Sequence, residues 1–386
     1  MQPFTLEVPP SIVFGAGAHA RLPELARRFG RRLLLLTGSG WYGKSPWKPR
    51  FAELLAQYDV ATLQVPPGEP ECEALDELLA EARNLKPDLI LAVGGGSVLD
   101  SAKAIAGLLP HPGRVEQYLE GVAESLAIPG PGAPWIALPT TAGTGAEATK
   151  NAVVRARRLG YKRSVRSLFL LASCVVVDPE LSRDCAQVLT GISGMDALTQ
   201  LLESFVSRKA TPVTRALARQ AFPVMLSSLK ALSTRLDDLE ARAGAAYGAL
   251  VSGITLANAG LGAAHGFASG LGGMYDVPHG LICALFLRPV LRFNADVIRA
   301  DCELLRSAVT EHDGAEPQGS RDPVEWLVGE VDGLFGRYGL PADLRAFGVR
   351  PEDAAEIARR SSGSSMSGNP KELPLGERER MLAKLL

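Results

Sequence analysis

Residues 88–103 read DLILAVGGGSVLDSAK, and this stretch decides the fold. Asp88 to Val93 is an apolar run too short for a helix and fits a strand buried on both faces. Gly94, Gly95 and Gly96 end it, and Ser97 to Leu109 then has a helical pattern, with Ser97 placed to cap the helix. Amides at that helix start, together with the helix dipole, form an anion site. Three glycines let a pyrophosphate approach the backbone closely.

Outward from this turn the pattern repeats. Ser11–Phe14, Leu33–Thr37, Val60–Val65, Trp135–Leu138 and Cys174–Val177 are further short apolar runs separated by helical segments. Strands alternating with helices predict a parallel sheet covered on both faces, a Rossmann-like α/β domain. After Asp178-Pro179 the texture changes to Ala and Leu at three-to-four spacing, which predicts an all-α C-terminal domain. We therefore expect two domains, 1–181 and 182–386, with a cleft between them. A chain of 386 residues exceeds one typical core. The segment Asp313–Pro323 is expected to be a surface loop.

Composition narrows the function. Lys plus Arg is 41 and Asp plus Glu is 42, so no global charge draws the chain to nucleic acid. The uncharged stretch Ala243–Tyr275 is broken by glycines and by Ser252, Thr255, Asn258 and His265, which argues for buried structure rather than a membrane helix. The N-terminus carries no signal-peptide pattern. Five cysteines without a CxxC fit isolated thiols in a cytoplasmic protein. His19, His111 and His312 lie in polar or turn contexts and are expected at the surface.

Two other glycine loops compete for a phosphate. Gly15-Ala-Gly17-Ala-His-Ala20 fits a relaxed dinucleotide fingerprint, but no acidic residue follows about twenty positions on, and a plain strand-to-helix turn explains it. Gly38 to Ser45 matches the P-loop pattern, and Val175–Asp178 would supply a second acidic strand end, as in a nucleotide hydrolase. Pro46 and Pro49 stand against that, because proline inside a helix removes a hydrogen bond and clashes.

The string GGGSVLDSAK is followed by LPTTAGTGAEAT (138–149), Lys162-Arg-Ser164, Val177-Asp178-Pro179, Gly194-Met-Asp196, His265 and Pro278-His279-Gly280. In this order the motifs resemble the iron-containing (group III) alcohol dehydrogenase family, within the dehydroquinate synthase-like superfamily. The resemblance runs from Phe4 to about Asn294. It implies a metal-dependent NAD(P)-linked oxidoreductase that interconverts an alcohol with an aldehyde or ketone, and members are commonly dimers or larger. Gly95, Gly96 and Ser97 match the family's pyrophosphate loop, with Asp100 in the following turn. Thr140, Thr141 and Thr144 match its nucleotide-contacting segment, and Lys162 its nucleotide-contacting lysine. The end of the second strand carries an Asp in many NAD-preferring members. Here Gly38 and Ser39 stand there, so a 2′-phosphate meets no repulsion, Ser39 or Lys44 is available to meet it, and NADPH is expected.

The family holds its metal, Fe(II) or Zn(II), with an Asp, a His four residues later and two further His. Asp196, His265 and His279 fit the first, third and fourth positions, but position 200 is Gln. Many relatives carry another His four residues after the third ligand, where this chain has Ser269; Ser269, the ribose hydroxyls or water would then carry the proton. Three outcomes follow: an ion on Asp196, His265 and His279 with Gln200 as a weak ligand or replaced by water; a metal-free site polarising the carbonyl through His265, His279 and Gln200; or a degenerate, dinucleotide-binding relative. A cyclising lyase or sugar-phosphate enzyme of the same superfamily would need more cations around residues 262–280 than occur there. Phe267, Met274 and Tyr275 are expected to form an apolar wall of the substrate pocket.

Overall fold

A computed structural model describes residues 3–40, 42–43, 45–122 and 124–386. It divides into two compact units. One comprises Glu7–Thr141 and Ala146–Ser182; the other comprises Ala142–Gly145, Arg183–Leu386 and the N-terminal residues up to Leu6.

The first unit is built on strands β1 (Ile12–Phe14), β2 (Arg32–Gly38), β3 (Asp59–Val65), β4 (Leu89–Gly94) and β5 (Trp135–Pro139). A hairpin follows, β6 (Asn151–Ala156) and β7 (Tyr161–Arg166), and then β8 (Cys174–Val177). All but the hairpin form one six-stranded sheet in the order β1-β8-β5-β4-β2-β3, with every pairing parallel. Helices α1 (Leu22–Ala26), α2 (Trp47–Leu54), α3 (Cys72–Leu85) and α4 (Gly96–Leu108) connect its strands. Leu33–Leu36 and Leu89–Val93 are fully buried, as strands covered on both faces must be.

Strand order locates the ligand crevice. The chain leaves β2 for β3 on one side and leaves β4 for β5 on the other, while β2 and β4 pair directly, Thr37 beside Val93. Connections diverging from adjacent parallel strands open a crevice at their carboxyl ends. Gly38 and Gly94 stand at those two ends.

The antiparallel hairpin β6–β7 was not expected. Its strands are rich in Arg and Lys, and the cations pair with acids from distant parts of the chain: Arg157 with Glu71, Lys162 with Glu69, and Arg166 with Glu120. A second correction concerns His19. It is buried rather than exposed, and its Nδ1 lies 2.5 Å from Asp178 Oδ2. Asp178 also accepts from the backbone amides of Gly17, His19 and Glu180. A carboxylate thus occupies the amides of the Gly15–Ala20 turn, which excludes it as a phosphate loop. His111 is half-buried, near the Gly130 carbonyl, and His312 is exposed as expected.

The second unit is helical: α5 (Gln187–Val206), α6 (Pro212–Leu232), α7 (Leu239–Ala259), α8 (Ala263–Met274), α9 (His279–Asp313), α10 (Pro323–Tyr338), α11 (Ala354–Arg360) and α12 (Leu375–Ala383). Helix α5 is central, packing on α6, α7 and α9, and it carries Asp196 in its buried middle. The uncharged stretch 243–275 spans α7 and α8, broken at Gly260, where φ is 65°. No helix among the described residues is long and apolar enough to cross a membrane.

Candidate metal centre and nucleotide turn

Three helices of the second unit converge on one point. Asp196 comes from α5, His265 from the first turn of α8, and His279 opens α9 after Pro278. His265 Nε2 lies 3.2 Å from Asp196 Oδ1, and His279 Nε2 lies 3.9 Å from the same oxygen. The two imidazoles sit 5.5 Å apart, ring centre to ring centre. Asp196 and His265 are buried and His279 is half-buried.

The opposite face of His265 is fixed by Glu203. Its Oε2 lies 2.7 Å from His265 Nδ1, and its Oε1 accepts from the Ala264 amide at 2.7 Å. Both groups are buried. A carboxylate on Nδ1 keeps a proton there, so an ion that binds at Nε2 need displace only the proton on that nitrogen. Burial opposes charge on His265, but its contacts with Cys283, Asp196 and Glu203 outweigh that and hold its pKa well above the usual imidazole value. Sequence reasoning missed Glu203. It lies seven residues after Asp196, two turns along α5, so the spacing was there to be seen.

Cys283 is the other unforeseen member. It lies one turn after His279, with Sγ 3.7 Å from His279 Nε2. Burial pushes its thiol up to about 12. One donor atom each from Asp196, His265, His279 and Cys283 lies within 4.8 Å of all the others. Gln200 is buried, but its amide is engaged by neighbours: Oε1 accepts from the Ser252 hydroxyl at 2.8 Å, and Nε2 donates to the Thr144 carbonyl at 3.3 Å. Ser269 is half-buried on α8. Phe267 is fully buried and stacked 4.0 Å from Phe286, so it is core rather than pocket wall. Met274 and Tyr275 are half-buried.

In the first unit, Gly95 rather than Ser97 is the N-cap of α4, with an extended backbone and no side-chain cap. The helix therefore begins one residue earlier, and Gly96 and Ser97 lie in its first turn, where amides lack intrahelical partners. Gly94 permits this, since a Cβ there would lie 2.5 Å from the Val98 side chain. Thr141 borders the same turn, its hydroxyl 3.3 Å from where a Gly95 Cβ would stand. Thr140 donates its amide to the Gly94 carbonyl. Asp100 points inward, pairing with Lys103 at 2.7 Å and accepting from the Val153 amide. Lys103 is fully buried and also donates to Thr149 and the Asn151 carbonyl. Lys162 contacts Glu69 at 2.8 Å. Thr144 groups with the helical unit.

A family model described as iron-containing alcohol dehydrogenase matches residues 9–179. A second, the C-terminal part of the Fe-containing alcohol dehydrogenase family, matches residues 190–385. This chain belongs to the iron-containing alcohol dehydrogenase family. A 1,3-propanediol dehydrogenase from Klebsiella pneumoniae is 35% identical over 303 residues, covering 76% of this chain and 74% of that protein. Long-chain-alcohol dehydrogenase 1 from Geobacillus thermodenitrificans (strain NG80-2) is 32% identical, covering 90% of this chain and 87% of its own. The crystal structure of a 1,3-propanediol oxidoreductase matches with a TM-score of 0.90 at 30% identity over 100% of both chains.

As a member of the iron-containing alcohol dehydrogenase family, the chain is an NAD(P)-dependent oxidoreductase acting on alcohol or carbonyl groups of small molecules, with a metal ion. The nucleotide-hydrolase reading of Gly38–Ser45 fails. Helix α2 starts only at Trp47 and is preceded by Pro46, with Pro49 in its first turn, where prolines remove the N–H groups a phosphate would need. Trp41 and Lys44 of that loop lie outside the described residues.

Proposed function

We propose that this enzyme is an NADPH-preferring aldehyde or ketone reductase, with Asp196, His265 and His279 holding a divalent ion. The observation that carries the reading is the position of the Asp196 carboxylate beside two imidazole Nε2 atoms, one of them locked by Glu203 on its far side. A carboxylate and two imidazoles fit iron or zinc. When bound, the ion supplies Lewis acidity to the substrate oxygen and the nicotinamide supplies or accepts the hydride.

The chain's own residues do the rest. Glu203 holds the proton on His265 Nδ1, so that Nε2 serves as a donor. Gly95, Gly96 and Ser97 offer first-turn amides to a pyrophosphate, with Thr140 and Thr141 beside them and Lys162 and Thr144 as further nucleotide contacts. Asp100 acts through its pair with Lys103, anchoring α4. Gly38 and Ser39 leave room without negative charge for a 2′-phosphate. The Ser269 hydroxyl, one turn after His265, is a relay for the proton that reaches the product oxygen. Gln200 serves as a buried hydrogen-bonding group between Ser252 and Thr144 rather than as the ligand. Residues 1–181 serve the dinucleotide and residues 182–386 the metal and substrate. None of the five cysteines is in a disulfide, which supports a reducing compartment such as the cytoplasm.

The test is an aldehyde and ketone panel with NADPH and NADH, on protein assayed for metal before and after chelation. Metal-dependent NADPH oxidation is expected. A large kcat/KM preference for NADH would overturn the cofactor assignment. Full activity after stoichiometric metal removal would overturn the metal assignment.

A further inference from the structure

One close approach in the cluster belongs to a residue with no place in the expected ligand pattern. Cys283 Sγ lies 3.7 Å from His279 Nε2, and it shares the 4.8 Å cluster with Asp196 and His265. We propose that Cys283 is a metal ligand, its thiolate completing an Asp196–His265–His279–Cys283 centre that favours zinc. The inference rests on the reading of this site as a metal centre.

Geometry supports it first. With metal–oxygen and metal–nitrogen bonds of about 2.0–2.2 Å and a zinc–sulfur bond of about 2.3 Å, neighbouring donors in a tetrahedral site stand roughly 3.3–3.6 Å apart. The separations here are 3.2 Å for Asp196–His265, 3.7 Å for His279–Cys283 and 3.9 Å for Asp196–His279. Three helices therefore bring the donors near ligating distance already, and small side-chain adjustments close the set. The spacing agrees as well. His279 and Cys283 are four residues apart on α9, so both face α5 and α8 from one side of their helix.

Position 200 explains the need for a fourth donor. The Gln200 amide is tied to Ser252 and to Thr144, and a neutral amide oxygen is a poor donor to zinc or iron. Charge points the same way. Without Cys283, Asp196 is the only charged donor, and the buried Glu203 carboxylate stands one ring further out. A thiolate brings the donor charge to minus two, and burying the ion then costs far less. The thiol proton leaves to solvent as the ion enters, as for any cysteine ligand. A soft sulfur donor shifts selectivity toward zinc.

Cobalt(II) reports sulfur ligation directly. Full-length metal-free protein is titrated with Co(II) under anaerobic conditions, and the absorption spectrum is recorded. A thiolate-to-cobalt charge-transfer band in the near ultraviolet, at one equivalent, is expected for the unmodified chain and for Cys302→Ser. Cys302 is the control because it lies nineteen residues, or about 28 Å, further along α9. In Cys283→Ser the band disappears, zinc affinity falls at least about tenfold, and the zinc-over-iron ratio in competition falls with it. The unmodified chain tests the assignment by itself, whatever the variant's folding. Cobalt bound without the band overturns the Cys283 assignment and leaves the Asp196–His265–His279 site standing. A band that survives in Cys283→Ser also overturns it. Failure of the unmodified chain to bind cobalt or zinc overturns both readings together.

Discussion

Glu203 Oε2 sits 2.7 Å from His265 Nδ1, on the side of the ring opposite Asp196. The contact holds a proton on Nδ1 and fixes the orientation of the ring. Glu203→Gln keeps the side-chain volume and an oxygen for the Ala264 amide, but its nitrogen cannot accept from Nδ1. We expect zinc affinity to fall about 10–100-fold with little change in helix content. Chelator competition and circular dichroism measure the two, and unaltered affinity would show that Glu203 does not set the ring.

At the end of β2, the proposed nucleotide site predicts that a carboxylate at position 38 would meet the ribose. A Cβ on Gly38 meets only Val98 Cγ2, at an ordinary 3.5 Å, and the backbone there is not left-handed. Gly38→Asp therefore fits. It is expected to lower the NADPH-to-NADH ratio of kcat/KM by tenfold or more, about 1.4 kcal/mol of differential binding. Steady-state kinetics with both cofactors decide it.

Gly94→Ala places a methyl 2.5 Å from Val98, between the last residue of β4 and the first turn of α4. Such overpacking costs about 1–3 kcal/mol. The expected result is a lower urea midpoint together with weaker quenching or enhancement of NADPH fluorescence, because the same turn is the one proposed to supply the pyrophosphate amides. Unchanged NADPH binding would dissociate the turn from the nucleotide.

Buried Glu147 links stability to pH. Burial raises its carboxyl to about 7 from an ordinary 4.5, with the Lys103 charge only partly opposing this. Below pH ~4.5 the group is protonated in both states and its effect is fully favourable. Between about 4.5 and 7 the unfolded chain gives up this proton first, so stability falls as pH rises, by on the order of 3 kcal/mol in total from this group. Glu147→Gln removes that slope. Urea midpoints of the two proteins should run together at low pH and separate toward pH 7, the unmodified chain falling below Glu147→Gln, if the assignment is right.

Legibility differed between parts of the chain for physical reasons. Strands β2, β4, β5 and β8 were plain because burial on both faces demands unbroken apolar runs. The β6–β7 hairpin was not, since its Arg and Lys residues are satisfied by Glu69, Glu71 and Glu120, remote in sequence. Asp196, His265 and His279 came from the family resemblance, and the structure brings them together. Glu203 and Cys283 carried only helical spacing, and spacing does not say which face turns inward. His19 looked like a surface residue because nothing local announces Asp178 as its partner.

Gly280 stands directly after His279, where any Cβ would come within 2.4 Å of the Ile192 carbonyl and 2.9 Å of the Asp196 Cβ. The opening of α9 can press this closely onto α5 only because position 280 has a hydrogen in place of a side chain. The span between the His279 ring and the Asp196 carboxylate is thereby dictated by main-chain packing. An alanine at this point would have to push the start of α9 away from α5, and with it the His279 ring away from the Asp196 carboxylate.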